Sequence, residues 1–336
     1  MTEKKAAPPK KDPRDKLYKP EGRPLILNAS PHNLTSDSVP KIMYTVLLAL
    51  APAAICGIIF FGMPALTMML ACASAAVLTE YLLNMAAKKP QTINDGSAAL
   101  TGLLLAMTLP PTFSIGGAIL GSIFAITIGK FVFGGLGCNI FNPALLGRAF
   151  LQASFPVEMT TWKLPNLAAA DAVTGATPLG LLKFEGISTD YLPMLLGNVG
   201  GSIGETSALA ILVGGIILLV KKYADWRIPL SYLGTVFLIG GLFWLLNPTQ
   251  YPDPVFHLLG GGLMLGAFFM ATDMVTSPIT PLGSWIFGLG AGLIVVLIRL
   301  FGGLPEVVMY SILLMNGATP LINRWTKPKI FGELRS

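Results

Sequence analysis

Thr177 is the residue whose setting most invites chemistry. It ends the run Asp171-Ala-Val-Thr-Gly-Ala-Thr177, and Pro178 follows it in the polar, helix-breaking decapeptide Asp171–Gly180. Thr174, Gly175 and Ala176 are small, so the hydroxyl reads as exposed and uncrowded, within reach of a modifying enzyme. A Thr-Gly-Ala-Thr-Pro run also makes an ordinary turn, and that reading uses the same letters. Asp273, in Phe268-Phe-Met-Ala-Thr-Asp-Met-Val-Thr-Ser-Pro278, stands with Thr272, Thr276 and Ser277 as a set of hard oxygens suited to a small cation on an ion pathway. It reads equally as a cap on the next element or an anchor at the membrane interface. Asn139 and Asn142 lie three apart before a helix, where amides could bind the edge of a planar heterocycle or satisfy loose backbone groups. Glu80 sits near an interface with Lys88 in reach. His32 could carry a proton, or simply hydrogen-bond at the interface.

Several chemistries are excluded. Cys56, Cys72 and Cys138 are far apart and show no metal-ligand spacing, and there is no Gly-rich phosphate loop. With 2 histidines in the chain, general-base catalysis has little to work with. A bound cofactor or an ion is left to do the work.

The elements that must position these residues are membrane helices. Of 336 residues 53% are hydrophobic and 12% charged, too apolar for a soluble domain. Runs of about 20 apolar residues, enough to cross a bilayer, recur down the chain. Spans are predicted at Ile42–Phe61, Pro64–Met85, Ala98–Leu109, Ile115–Phe133 and Pro143–Ser154, then at Thr206–Val220, Pro229–Leu246, Val255–Ala271, Leu282–Leu300 and Glu306–Ile322. Some of these are short, as in discontinuous helices. The fold expected is an all-α polytopic membrane protein of about ten transmembrane helices. Residues 1–40 read as a basic tail and interfacial segment without a cleaved signal peptide, 41–154 as one five-helix repeat, and 155–204 as a loop carrying the decapeptide. Residues 205–323 read as a second repeat and 324–336 as a tail.

Two strings echo each other: Phe133-Gly-Gly-Leu136 and Phe301-Gly-Gly-Leu304 each follow a long apolar helix and precede one carrying an Asn, Asn142 or Asn316. Five spans is an odd number, so two such halves in tandem must be inverted, with a site near the midplane. Of the 23 Lys and Arg, 18 fall in the segments that share a side with the termini. The positive-inside rule makes that side cytoplasmic and puts the long loop, which has only Lys163 and Lys183, outside. The basic balance is therefore a signal of topology and does not imply a nucleic-acid partner.

Together the strings resemble a known family. Ser30-Pro-His32 with Ser38-Val-Pro-Lys-Ile-Met43, Asn94-Asp-Gly-Ser-Ala-Ala-Leu-Thr-Gly-Leu103, Leu109-Pro-Pro111, Phe133-Gly-Gly-Leu-Gly-Cys-Asn-Ile-Phe-Asn-Pro-Ala144, Asp171–Thr177 and Phe269-Met-Ala-Thr-Asp273 span nearly the whole chain in order. They are similar to the D subunit of the Rnf ion-translocating electron-transport complex and, more distantly, to the B subunit of the sodium-pumping NADH:quinone oxidoreductase. The resemblance implies FMN held by a phosphoester on Thr177, installed by a separate flavin transferase from FAD. It also implies a noncovalent riboflavin in the membrane, with Asn139 and Asn142 at the matching positions. The function implied is that of a flavoprotein translocase subunit, catalytic only within its complex. With the other Rnf subunits it would couple electron transfer between ferredoxin and NAD to movement of Na+ or H+ across a bacterial or archaeal cell (inner) membrane. Two other readings suit broken helices: a passive channel or permease with a urea-transporter-like pore, and a scaffold subunit. Neither needs a flavin.

Overall fold

A polar residue followed by proline starts four of the helices: Asn142-Pro143, Thr177-Pro178, Asp253-Pro254 and Thr280-Pro281. In each pair the side-chain oxygen accepts a backbone N–H of the first turn, while proline fills a position whose own N–H would have no helical partner. The computed structural model describes residues 37–165, 174–205, 207–303 and 306–328. His32 and Asp171 lie outside the described residues.

The first half comprises α1 (Val39–Phe61), α2 (Met63–Ala86), α3 (Ser97–Met107), α4 (Ile115–Ile126, continued by a π-turn over Thr127–Phe131) and α5 (Pro143–Ser154). The second comprises α6 (Ala208–Val220), α7 (Arg227–Leu246), α8 (Pro254–Leu259), α9 (Pro281–Phe301) and α10 (Val308–Trp325). The span expected at Val255–Ala271 is broken. After α8 the chain turns through Gly260–Gly262, Gly261 taking a φ of 71° that glycine adopts without strain, and resumes as Leu263–Leu265 and a π-turn over Gly266–Met270. Among the described residues four helices, α1, α2, α7 and α9, are long and apolar enough to cross a membrane. Three more, Ser97–Met107, Ile115–Phe131 and Ala208–Val220, are apolar but shorter. Leu48, Ile59, Leu238, Leu245 and Leu246 point outward, as the lipid face of a multi-pass membrane protein requires.

Three helix pairs of the first half have counterparts in the second. α2 lies on α3 and α4, and α4 on α5; α7 lies on α8 and on α9, and α9 on α10. Between the halves α1 packs on α6, and α5 meets α10. At the first of these seams Gly214 of α6 is so close to α1 that a Cβ there would stand 2.0 Å from the Ala49 carbonyl oxygen. Backbone cannot yield as a side chain tip can. Gly214→Ala is therefore expected to cost at least the roughly 1–3 kcal/mol of an overpacked core, read as a lower thermal midpoint in detergent.

The described residues of the long loop include regular structure. They hold short helices at Pro156–Thr160 and Tyr191–Leu196, a helical turn at Pro178–Gly180 that runs on as a π-turn over Leu181–Glu185, and the antiparallel pair Trp162–Lys163 with Thr174–Gly175. That two-residue pairing is a small departure from an all-α chain. It brings the segment before Thr177 back against Trp162.

Candidate functional site

The sequence puts the Thr177 hydroxyl on exposed backbone; the structure buries it, leaving 3% of the residue accessible. Strand pairing at Thr174–Gly175 fixes the approach, and Pro178 starts the turn in which Oγ1 accepts the Gly180 N–H at 3.1 Å. The residue faces a cavity of about 370 Å³ walled by Gln152, Trp162, Phe184, Glu306 and Tyr310. That volume is in the range of small-molecule sites. An ester on Oγ1 would keep its oxygen at a helix start, where N–H groups face an anion. The capping role alone does not distinguish Thr177 from Thr280, which caps in the same way. The cavity does.

Asn139, Asn142 and Asp273 come together on a second cavity, of about 90 Å³, with Lys130 and Phe269 in its wall. Their roles diverge. Asn142 Oδ1 accepts the Ala144 and Leu145 N–H groups at 3.0 and 3.4 Å, and its Nδ2 donates to the Met270 carbonyl at 3.3 Å. Its side chain is thus committed to α5 and to the broken segment. Asn139 donates to the Phe141 carbonyl at 3.2 Å, while its buried Oδ1 accepts nothing. An orphaned buried acceptor is the feature a ring N–H would satisfy. Asn139→Ala is therefore expected to cost about 1 kcal/mol of stability, for the bond it donates to the Phe141 carbonyl, and to weaken any heterocycle bound there.

Asp273 behaves as a local cap. Oδ1 accepts the Val275 N–H at 3.3 Å and Oδ2 the Thr276 hydroxyl at 3.2 Å, whereas the Thr272 hydroxyl donates back to the Phe268 carbonyl at 2.7 Å. The oxygens do not converge on one point. Among the described residues, no three His, Cys, Asp or Glu side chains gather as a metal site.

Glu80 corrects another expectation: its partner is Lys130 rather than Lys88. Both carboxylate oxygens lie 2.8 Å from Lys130 Nζ, which also donates to Ser97 Oγ at 2.6 Å, and the Thr92 hydroxyl donates to Glu80. The π-turn on α4 carries Lys130 into this contact, and the letters of the helix do not disclose it. Glu306, which sequence reasoning missed, meets Arg148 at 3.0 Å and lines the Thr177 cavity. An acid after the second Phe-Gly-Gly-Leu string was the available signal. The two echoed asparagines, 174 residues apart, touch: the Asn142 N–H donates to Asn316 Oδ1 at 3.2 Å. Asn316 Nδ2 in turn donates to the Thr276 carbonyl at 3.2 Å, so the pair holds the chain on either side of Asp273, where the broken segment ends.

The family described as NQR2, RnfD, RnfE matches residues 26–332. The chain belongs to that family. Members of the NQR2, RnfD, RnfE family align with it along almost their full length. It is 51% identical over 324 residues, 93% of this chain and 97% of the relative, to the D subunit of the proton-translocating ferredoxin:NAD(+) oxidoreductase complex of Clostridium ljungdahlii. It is 47% identical, over 92% of this chain and 95% of the relative, to the D subunit of the Na(+)-translocating ferredoxin:NAD(+) oxidoreductase complex of Acetobacterium woodii. It is 43% identical, over 88% and 93%, to the D subunit of the ion-translocating oxidoreductase complex of Stutzerimonas stutzeri.

Proposed function

We propose that this chain is the D-type membrane subunit of an ion-translocating ferredoxin:NAD oxidoreductase complex, and that it carries FMN through a phosphoester on Thr177. It acts only with the other subunits of such a complex, as the names of its relatives indicate. The observation that carries the flavin reading is the Thr177 hydroxyl at the wall of a cavity of about 370 Å³, at the end of the motif the resemblance singles out. A bound flavin supplies one- and two-electron chemistry, and a tether prevents its loss. The protein's part is placement. Trp162, Phe184 and Tyr310 offer flat apolar walls, and Glu306, held by Arg148, offers a carboxylate at the cavity edge.

Because the hydroxyl is buried, a flavin transferase must reach it while the Pro178–Glu185 turn is away from α5 and α10. The coupled ion is Na+ or H+; relatives at 51% and 47% identity are named for different ions. We assign riboflavin to Asn139, whose free acceptor suits it. The cavity of about 90 Å³ must widen to admit it, since small-molecule sites usually have about 300 Å³ or more. Two inverted five-helix repeats are supported by the matching helix pairs and by the contact between Asn142 and Asn316. In that arrangement both termini are cytoplasmic and the Thr177 loop is external, in a bacterial or archaeal cell membrane.

The test is mass spectrometry of the peptide containing Thr177, from protein made beside an active flavin transferase. A mass increase of one esterified FMN is expected, and an unmodified peptide would overturn the reading.

A further inference from the structure

A third cavity, of about 290 Å³, lies on the other side of the Thr177 turn, against the C-terminal ends of α8 and α9. Lys183, His257 and Arg299 line it, and none of its lining residues is acidic. The three cationic or titratable groups are unequally occupied. Lys183 Nζ donates to the Arg299 carbonyl at 3.0 Å and to that of Gly302. Arg299 donates to the His257 and Gly260 carbonyls at 2.6 and 2.9 Å, but its Nε has no partner. His257 is 4% exposed and neither ring nitrogen is hydrogen-bonded. Buried polar atoms left unmatched this way are rare in folded proteins.

Nearby carboxylates do not fill the gap. Asp253 accepts from the Val255 N–H at 2.8 Å and the Tyr191 hydroxyl at 2.6 Å. Glu205 and Glu306 act on Arg299 from the interior side, and Glu306 is already paired with Arg148. Desolvation pushes the Lys183 ammonium below the usual lysine range, a cost that an anion beside it would offset.

The surroundings locate the cavity at the membrane surface. Phe243 packs edge-on against Tyr251 and Phe301, with centroids 5.3 and 5.7 Å apart, where α7 and α9 end. Trp244, Leu246 and Phe301 are exposed beside it. Aromatic rings at helix ends with apolar neighbours mark the headgroup level of a bilayer.

We propose that this cavity is a binding site for a phosphate-bearing anion, received by His257, the free Arg299 Nε and Lys183. Guanidinium and ammonium groups together are suited to phosphate oxygens, and the apolar rim admits the chains of a phospholipid. The two sources of such a phosphate, an anionic lipid headgroup and a soluble phosphate, share this chemistry. The inference does not depend on the flavin at Thr177.

The test uses the full-length chain, delipidated in detergent and titrated with inorganic phosphate against chloride, or placed in nanodiscs of phosphatidylglycerol or phosphatidylcholine. Thermal midpoint is the readout, since a ligand of the folded state raises it. Wild type is expected to respond to phosphate, to phosphatidylglycerol, or to both. A response to phosphatidylglycerol alone assigns a lipid headgroup, and any response to phosphate assigns a soluble anion. Gln250→Glu is the decisive variant. Gln250 is exposed on the cavity wall, and Glu keeps the oxygen that accepts from Asn247 Nδ2 at 3.1 Å while adding negative charge. It is expected to fold normally and to weaken apparent binding about tenfold or more, and His257→Ala to weaken it comparably. No response to either ligand in wild type, or an undiminished response in Gln250→Glu, overturns the proposal.

Discussion

Thr177→Ala is expected to abolish the in-gel flavin fluorescence of this chain and the electron transfer that passes through it, while leaving the helices assembled. The structural loss is small: one cap, the bond from the Gly180 N–H at 3.1 Å, costs about 1 kcal/mol. The chemical loss is expected to be complete, because the acceptor hydroxyl is gone. Thr177→Ser separates the two effects, since it keeps both a hydroxyl and a cap; it is expected to retain the label, in a yield no higher than wild type given its extra rotamer freedom. Thr280→Ala makes the matching control. It removes the same kind of cap, the bond from the Gly283 N–H at 3.1 Å, away from the Thr177 cavity, and should leave fluorescence untouched. A flavin band that survives in Thr177→Ala would end the assignment of the ester to Thr177.

The second large effect is on stability. Lys130→Met leaves the Glu80 carboxylate buried without its cation, where both residues are 4% exposed. Breaking a buried pair from one side costs about 3–5 kcal/mol, so a marked fall in thermal midpoint is expected. The double variant Glu80→Gln with Lys130→Met should recover most of that loss, because the uncompensated charge is gone. A double variant destabilised by the sum of the two single losses would mean that the ion pair contributes no coupling. Glu80→Gln alone is expected to be milder than Lys130→Met, since Gln can still accept from the Thr92 hydroxyl.

Much of the scaffold was legible in the letters. Charge-free runs placed nearly every helix within a few residues. The Gly260-Gly-Gly262 interruption was not, because a run of apolar residues around three glycines reads as one tilted helix. Side-chain partners were less legible still. Glu80 finds Lys130 across 50 positions through a π-turn, and hydropathy patterns are blind to a one-residue change in helical register. Exposure of Thr177 was misjudged for a related reason: small neighbours suggest an open loop, yet they are also what lets a loop pack closely. Asn142 and Asn316 stood out as an echo, and their mutual contact is a tertiary fact that spacing could only hint at.

The closeness of Gly214 to the Ala49 carbonyl bears on how the two halves can move. Backbone meets backbone there with no side chain between to act as a bearing, so sliding along that line would drive atoms into each other. A rocking motion has to take the seam as its fulcrum, with displacement growing with distance from it. In such a lever the largest displacement falls on the helices farthest from the seam, and the glycine line itself stays still.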